Sequence, residues 1–151
     1  FVEQQQEKLT YEEEKLFNVP GTNVALIPPP HFEYEAQING FVHLGSASTI
    51  QIIEVNGVSY KTIDNSMTIE HISSQGFEYI DRKETQLISG DQAVIYFVSF
   101  DADGVEFERA MLFTGDKHTI WVNFNYPLNM KKLLYPAVEA ALLSVQPISK
   151  K

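Results

Sequence analysis

Apolar positions from Phe77 to Tyr126 fall into four runs, parted by three turn signals: Ser89-Gly90-Asp91, Asp101-Ala102-Asp103-Gly104 and Gly115-Asp116. Gly and Asp tolerate the positive φ of tight hairpins, and the residues between are β-branched or aromatic, so the segment predicts a meander of antiparallel strands. From Ala93 to Phe100 both parities are apolar: Ala93, Ile95 and Phe97 point one way, Val94, Tyr96 and Val98 the other. Such a strand must be covered above and below, which predicts a central place in a layered structure. In the next run Glu106 and Glu108 share a face with Ala110 and Leu112, so that face is expected to be wet near the turn. In the last run Ile120, Val122, Phe124 and Tyr126 share one side, and Trp121, Asn123 and Asn125 the other.

Upstream, Lys15 to Val19 and Val24 to Ile27 read as short strands about a Pro20-Gly21 turn, ended by Pro28 to Pro30. The stretch from His31 to Ser48 has apolar residues without a clean period and predicts a long loop that packs its aromatics onto the sheet edge. Ile50 to Val55 is a strand closed by Asn56-Gly57. Tyr60 to Gln75 is helical, with Ile63, Met67 and Ile72 at helical spacing, a break at Asp64-Asn65 and Gly76 as its cap. A final helix spans about Met130 to Val145, with a stripe of Leu134, Val138, Ala141, Leu142 and Val145. Pro136 either sits in its first turn or kinks it. The expected class is α/β (α+β): a mostly antiparallel sheet of six to seven strands sandwiched between helices.

The 151 residues, 44% hydrophobic, suit one domain, and a domain of this size buries roughly 70% of its unfolded surface. No apolar run reaches the roughly 20 residues that span a bilayer. A formal charge of -9, with eleven scattered Lys and Arg, argues against nucleic acid and anionic membranes. It permits a neutral or basic protein partner. Residues 1–14 carry five Glu and are expected to be a flexible acidic lead or tether, followed by the domain at 15–146 and a short polar tail at 147–151. The first residue, Phe1, is not Met. A removed signal sequence, with or without an upstream lipid anchor, is therefore expected, and with it an exported, periplasmic or envelope-anchored protein. A trimmed cytoplasmic protein is the alternative.

The segment Val19-Pro20-Gly21-Thr22-Asn23-Val24-Ala25-Leu26-Ile27-Pro28-Pro29 resembles the PsbP-like superfamily, the fold of PsbP, Mog and DcrB, and specifically its uncharacterised bacterial branch. So do Gly40-Phe41, the strand Ser48 to Val55, Gln75-Gly76-Phe77, Asn125-Tyr126-Pro127, and Ala140 with Leu142-Leu143-Ser144-Val145. The resemblance spans about residues 15 to 146. It implies a three-layer α/β/α sandwich and a domain that works by binding, as an accessory or adaptor protein without an enzymatic site. No family motif maps a functional residue onto this chain, and partners differ between members.

Chemistry-bearing patterns are sparse. His31, His43, His71 and His118 stand at no metal-ligand spacing and there is no Cys, so no metal is expected. Asp101-x-Asp103-Gly104 hints at calcium, but Val105 and Glu106 occupy positions where an EF-hand needs an oxygen ligand and then its Gly, and no Glu closes the loop; a hairpin turn explains it. Gly45-Ser46-Ala47-Ser48 is not a nucleophile elbow, and neither phosphate-binding Gly motif occurs. No cofactor and no enzymatic activity are expected.

Two patches are candidates for binding. Phe32, Tyr34, Phe41 and His43 form an aromatic set, which either offers a contact surface or seals the sheet edge as core. Trp121 with Asn123 and Asn125 offers a contact hot spot, or else a Trp covered by a helix. The sequence reads first as a non-catalytic binding module of the bacterial envelope that contacts an unknown protein partner. A small-molecule carrier with a pocket under the 28–48 loop comes second, and a hydrolase a distant third.

Overall fold

Four long antiparallel strands form the middle and one flank of the main sheet: β6 (Glu78–Gln86), β7 (Gln92–Ala102), β8 (Val105–Thr114) and β9 (Thr119–Pro127). The computed structural model describes residues 15–148; the acidic lead at 1–14 and the last tail residues, 149–151, lie outside the described residues. The β7–β8 connection is a two-residue loop of Asp103 and Gly104, with φ of 51° and 81°. Both values are positive, as the hairpin turn that matches strand twist demands.

Three further strands extend the sheet beyond β9: β5 (Ser48–Val55), β4 (Gly40–His43) and β3 (Glu33–Glu35). The seven-stranded order is β3-β4-β5-β9-β8-β7-β6, with every pair antiparallel. The expected long loop at 31–48 is thus corrected to a short hairpin with two 3-10 turns, Ala36–Ile38 and Leu44–Ser46. Each turn ends in a left-handed residue, Asn39 and Ala47 respectively, which re-aims the chain into the next strand.

The β7 residues from Ala93 to Ser99 are buried on both faces, as its two apolar parities predict. One face is covered by α3 (Lys131–Leu143) and a small sheet of β1 (Phe17–Asn18), β2 (Val24–Leu26) and β10 (Gln146–Pro147). Leu26, Phe41, Ile50, Ile95, Leu112, Val122, Phe124, Val138 and Leu142 join one core there, each contributing roughly 1.5–3 kcal/mol by its burial. Pro147 and Ile148 are held by this small sheet, Ile148 donating to the Asn23 carbonyl at 2.8 Å.

The other face is covered, over β7 and β8, by α1 (Tyr60–Ser66) and α2 (Ile69–Ser74). The break between them falls at Met67 and Thr68, not at Asp64-Asn65, because the Thr68 hydroxyl caps the second helix at the His71 N–H. Pro136 lies inside α3. It and Lys132, whose carbonyl loses its helical partner there, are both exposed, so water meets that carbonyl. No helix among the described residues is long and apolar enough to cross a membrane.

Candidate functional site

Helices α1 and α2 cover only part of their face of the sheet. Their core partners are Val94, Tyr96 and Val98 of β7 with Met111 and Phe113 of β8, and Trp121 of β9 packs half-buried against the same cluster. The strands beyond, β9, β5 and β4, turn Trp121, Asn123, Asn125, Thr49, Gln51, Ile53 and Val42 toward that side. Strand register sets them in rows: Val42, Thr49, Asn125 and Arg109 are successive cross-strand neighbours, as are Gly40, Gln51, Asn123 and Met111. Gln51 is exposed, Trp121 and Asn125 are half-buried and Asn123 is buried.

Side-chain hydrogen bonds lock these rows. The Trp121 indole N–H donates to Asn123 Oδ1 at 2.6 Å, with its ring tilted on Phe113 at 5.3 Å. Arg109 Nε donates to Asn125 Oδ1 at 2.6 Å, and the Asn125 amide donates onward to the Thr49 hydroxyl at 3.1 Å. The Arg109 guanidinium lies 4.9 Å from the Phe77 ring centre and 5.3 Å from that of Phe100, two rings set nearly perpendicular. Burial lowers its pKa.

The aromatic set lies on the opposite face, so the two patches are not brought together. Phe41 is buried in the core under the small sheet, with Phe32 and Tyr34 packed half-buried against it. Phe17 bridges Tyr34 and Phe41, and Phe32 meets Phe124 and His43. His43 Nδ1 is 2.7 Å from the Ser46 hydroxyl, which lies 2.7 Å from that of Ser48.

A cleft of about 720 Å³ opens at the end of the sheet, between the start of α1, the β8–β9 turn and β10. Tyr60, Lys61, Asp116 and His118 line it, with no residue from 28–48. His118 Nδ1 accepts the Gly57 N–H at 2.8 Å, which leaves the ring proton on Nε2. A smaller cleft of about 330 Å³ adjoins it, beside Asp64 and Arg82. Arg82 donates to both Asp64 oxygens, at 3.0 and 2.6 Å, and the Tyr96 hydroxyl donates to the same carboxylate. This forked bond from Arg82 holds the Asp64 carboxyl below its ordinary range, and the network fastens α1 to β6 and β7.

The expectation that the Glu106 and Glu108 face is wet near the turn holds at Glu106, which is exposed, and is corrected at Glu108. Glu108 is 1% exposed. Its carboxylate accepts from the Tyr126 hydroxyl and from Lys131 Nζ, at 2.9 Å to Oε2. A carboxylate on a core-facing parity is tolerated because the first residue of α3 brings a cation to it. Tyr135 lies beside this cluster, its ring 6.4 Å from that of Tyr126.

Burial, then the Asp64 carboxylate, push the Tyr96 phenol up to about 12. Burial raises Tyr126, helped by its bond to Glu108, and raises Tyr135, helped by the charges of Glu139 and Glu108. The unfolded chain ionises its phenols from about pH 10, so the stability these three contribute is complete below that value and is lost as pH rises through their folded values. The urea midpoint is therefore expected to fall steadily above about pH 10, with phenolate absorbance from the three appearing only on unfolding. Full ionisation of every tyrosine in a protein still folded would contradict this.

No protein-family model and no curated protein matches the chain. Among solved structures it is similar to LpqN of Mycobacterium tuberculosis, involved in cell envelope biogenesis, with a TM-score of 0.63 at 14% identity over 83% of each chain. It is also similar to cyanobacterial PsbP of Synechocystis, with a TM-score of 0.60 at 12% identity over 87% of this chain and 91% of that one. PA94 of Pseudomonas aeruginosa, a protein of unknown function, gives a TM-score of 0.59 at 12% identity over 85% of each. Identities this low speak for architecture alone, and on that ground the chain has the PsbP-like fold.

Proposed function

We propose that this chain is a non-catalytic accessory module of a bacterial cell envelope, exported to its place of work, which acts by holding another protein. One observation carries the reading. The sheet is sealed along one face, while the opposite face leaves the β9–β5–β4 surface without a covering element among the described residues, with a hydrogen-bonded Trp121 at its border, half-buried against the helix-covered cluster. Trp and Arg are the residue types most often found as contact hot spots, and a locked side chain loses little entropy on docking. The likeness to LpqN supports placing the module in the envelope. Cross-linking in source cells, followed by purification, is expected to yield a specific protein whose recovery falls with Trp121→Ala. Phe32→Ala tests the aromatic face in the same way. Equal recovery from both variants and the parent would refute contact through either patch.

The carrier reading is favoured by the end cleft beside Tyr60 and His118, which lies apart from residues 28–48. A metabolite panel that raises the melting temperature, with Tyr60→Ala abolishing the rise, would support it over the first reading.

A further inference from the structure

The chain contains two arginines. Arg82 is paired with Asp64 and Glu84. Arg109 is half-buried and has no carboxylate within ion-pair distance among the described residues. Only its Nε is used, on Asn125; its two terminal amino groups donate to no described protein acceptor. A partly desolvated guanidinium without an anion is unusual in a chain that carries 20 acidic residues against 11 basic ones, because buried charge is costly unless compensated. Two perpendicular rings and the Asn125 carbonyl hold its plane fixed, so its orientation is already set before any anion arrives. The free edge of a guanidinium offers paired N–H groups that match the two oxygens of a carboxylate.

We propose that Arg109 is the receptor for an aspartate or glutamate side chain of a partner protein, docked on the open sheet face beside Asn125, in the row that runs on through Thr49. The inference rests on the protein-binding reading above and names what the partner must present. Its surroundings narrow the choice. Phe77 and Phe100 lie against the guanidinium, Asn125 is bonded to it, and Thr49 stands one strand beyond in the same row, which suits one carboxylate set in an otherwise neutral or apolar segment. The net charge of -9 repels a polyanion such as a nucleic acid over the screening length of roughly 8–10 Å. A single carboxylate on a neutral or basic protein meets far less of that repulsion.

Random peptides displayed on phage, selected on the immobilised protein, test this. Selected peptides are expected to share an acidic residue at one position flanked by apolar residues. The best of them, synthesised, should lose roughly tenfold or more in affinity when that residue becomes its amide. Arg109→Gln and Arg109→Lys should each lose as much, with no further loss from the amide peptide. Because Arg109 also packs on two rings, both variants are first compared with the parent by melting temperature, and the Arg109 Nε–H resonance of the parent is followed during peptide titration. A shift there that the amide peptide does not produce supports the proposal. Peptides that bind in a Trp121-dependent way without an acidic position would overturn it and leave the protein-binding reading intact. Failure to select any peptide on this face overturns both. Acetate that matches the peptide's affinity would make this a small-anion site and overturn the proposal as well.

Discussion

Replacing Lys131 by methionine is expected to destabilise the fold by about 2–4 kcal/mol, about one kcal/mol below the range of about 3–5 kcal/mol for breaking a fully buried ion pair. Glu108 is 1% exposed, and Lys131 is its one cationic partner among the described residues, at 3.0 Å to Oε1 and 2.9 Å to Oε2. Removing the ammonium leaves a carboxylate inside the core with a single phenol to answer it. The ammonium also lies 5.5 Å from the Phe97 ring centre and 5.8 Å from that of Tyr135, and its attraction to both rings disappears in the variant. The Lys131 side chain is 39% exposed, so water can take part of its place, which sets the estimate below the largest values. Glu108→Leu removes the charge instead. It leaves the Tyr126 hydroxyl without its acceptor, a loss of about 1–3 kcal/mol. The double variant Glu108→Leu with Lys131→Met removes both charges, so it should be more stable than the sum of the single losses implies. Urea denaturation of the four proteins gives the coupling energy directly. Strict additivity, or a Lys131→Met variant within about 0.5 kcal/mol of the parent, would mean that Glu108 does not depend on this cation.

Glu108 also shows where sequence reasoning stops. Its parity was legible: it shares a face with Ala110 and Leu112, and that face is core. Its burial was not legible, because the compensating Lys131 lies 23 residues downstream on another element, and no local pattern links the two. The β6 to β9 meander was readable because alternation and Gly–Asp turns are local signals. The β3–β4 hairpin was not. Its strands have three and four residues, and the turns that follow use Asn39 and Ala47 at φ of 50° and 57°, where a glycine would have advertised the bend. The common face of Trp121, Asn123 and Asn125 followed from alternation, but whether a helix covers it depends on where α1 and α2 stop, which is set by packing on β7 and β8. Arg109 did carry a signal. It alternates with Met111 and Phe113, a cation on an otherwise apolar parity, and that misfit is what singles it out.

Gly115→Ala is expected to cost about 3–5 kcal/mol, from left-handed strain and overpacking together. Gly115 adopts φ of 111°, and a Cβ there would sit 2.0 Å from the backbone carbonyl oxygen of His118, across the β8–β9 turn. A backbone atom cannot swing aside as a flexible side chain would, so the turn itself must open. That movement is resisted from two sides. The Gly115 carbonyl accepts the Tyr60 N–H at 2.9 Å at the start of α1, and His118 holds the Gly57 N–H. Opening the turn therefore loosens the first helix as well as the hairpin. Gly104→Ala provides the control, since Gly104 has a comparable positive φ of 81° with nothing within 4 Å of the added methyl. Its cost should be confined to the backbone penalty, about 1–2 kcal/mol. Denaturation curves of the two variants, with amide exchange at Tyr60, separate strain from space: Gly115→Ala should be the less stable and should exchange faster at Tyr60. Equal losses would show that the β8–β9 turn yields freely, and that its close approach to the His118 carbonyl places no demand for glycine beyond φ.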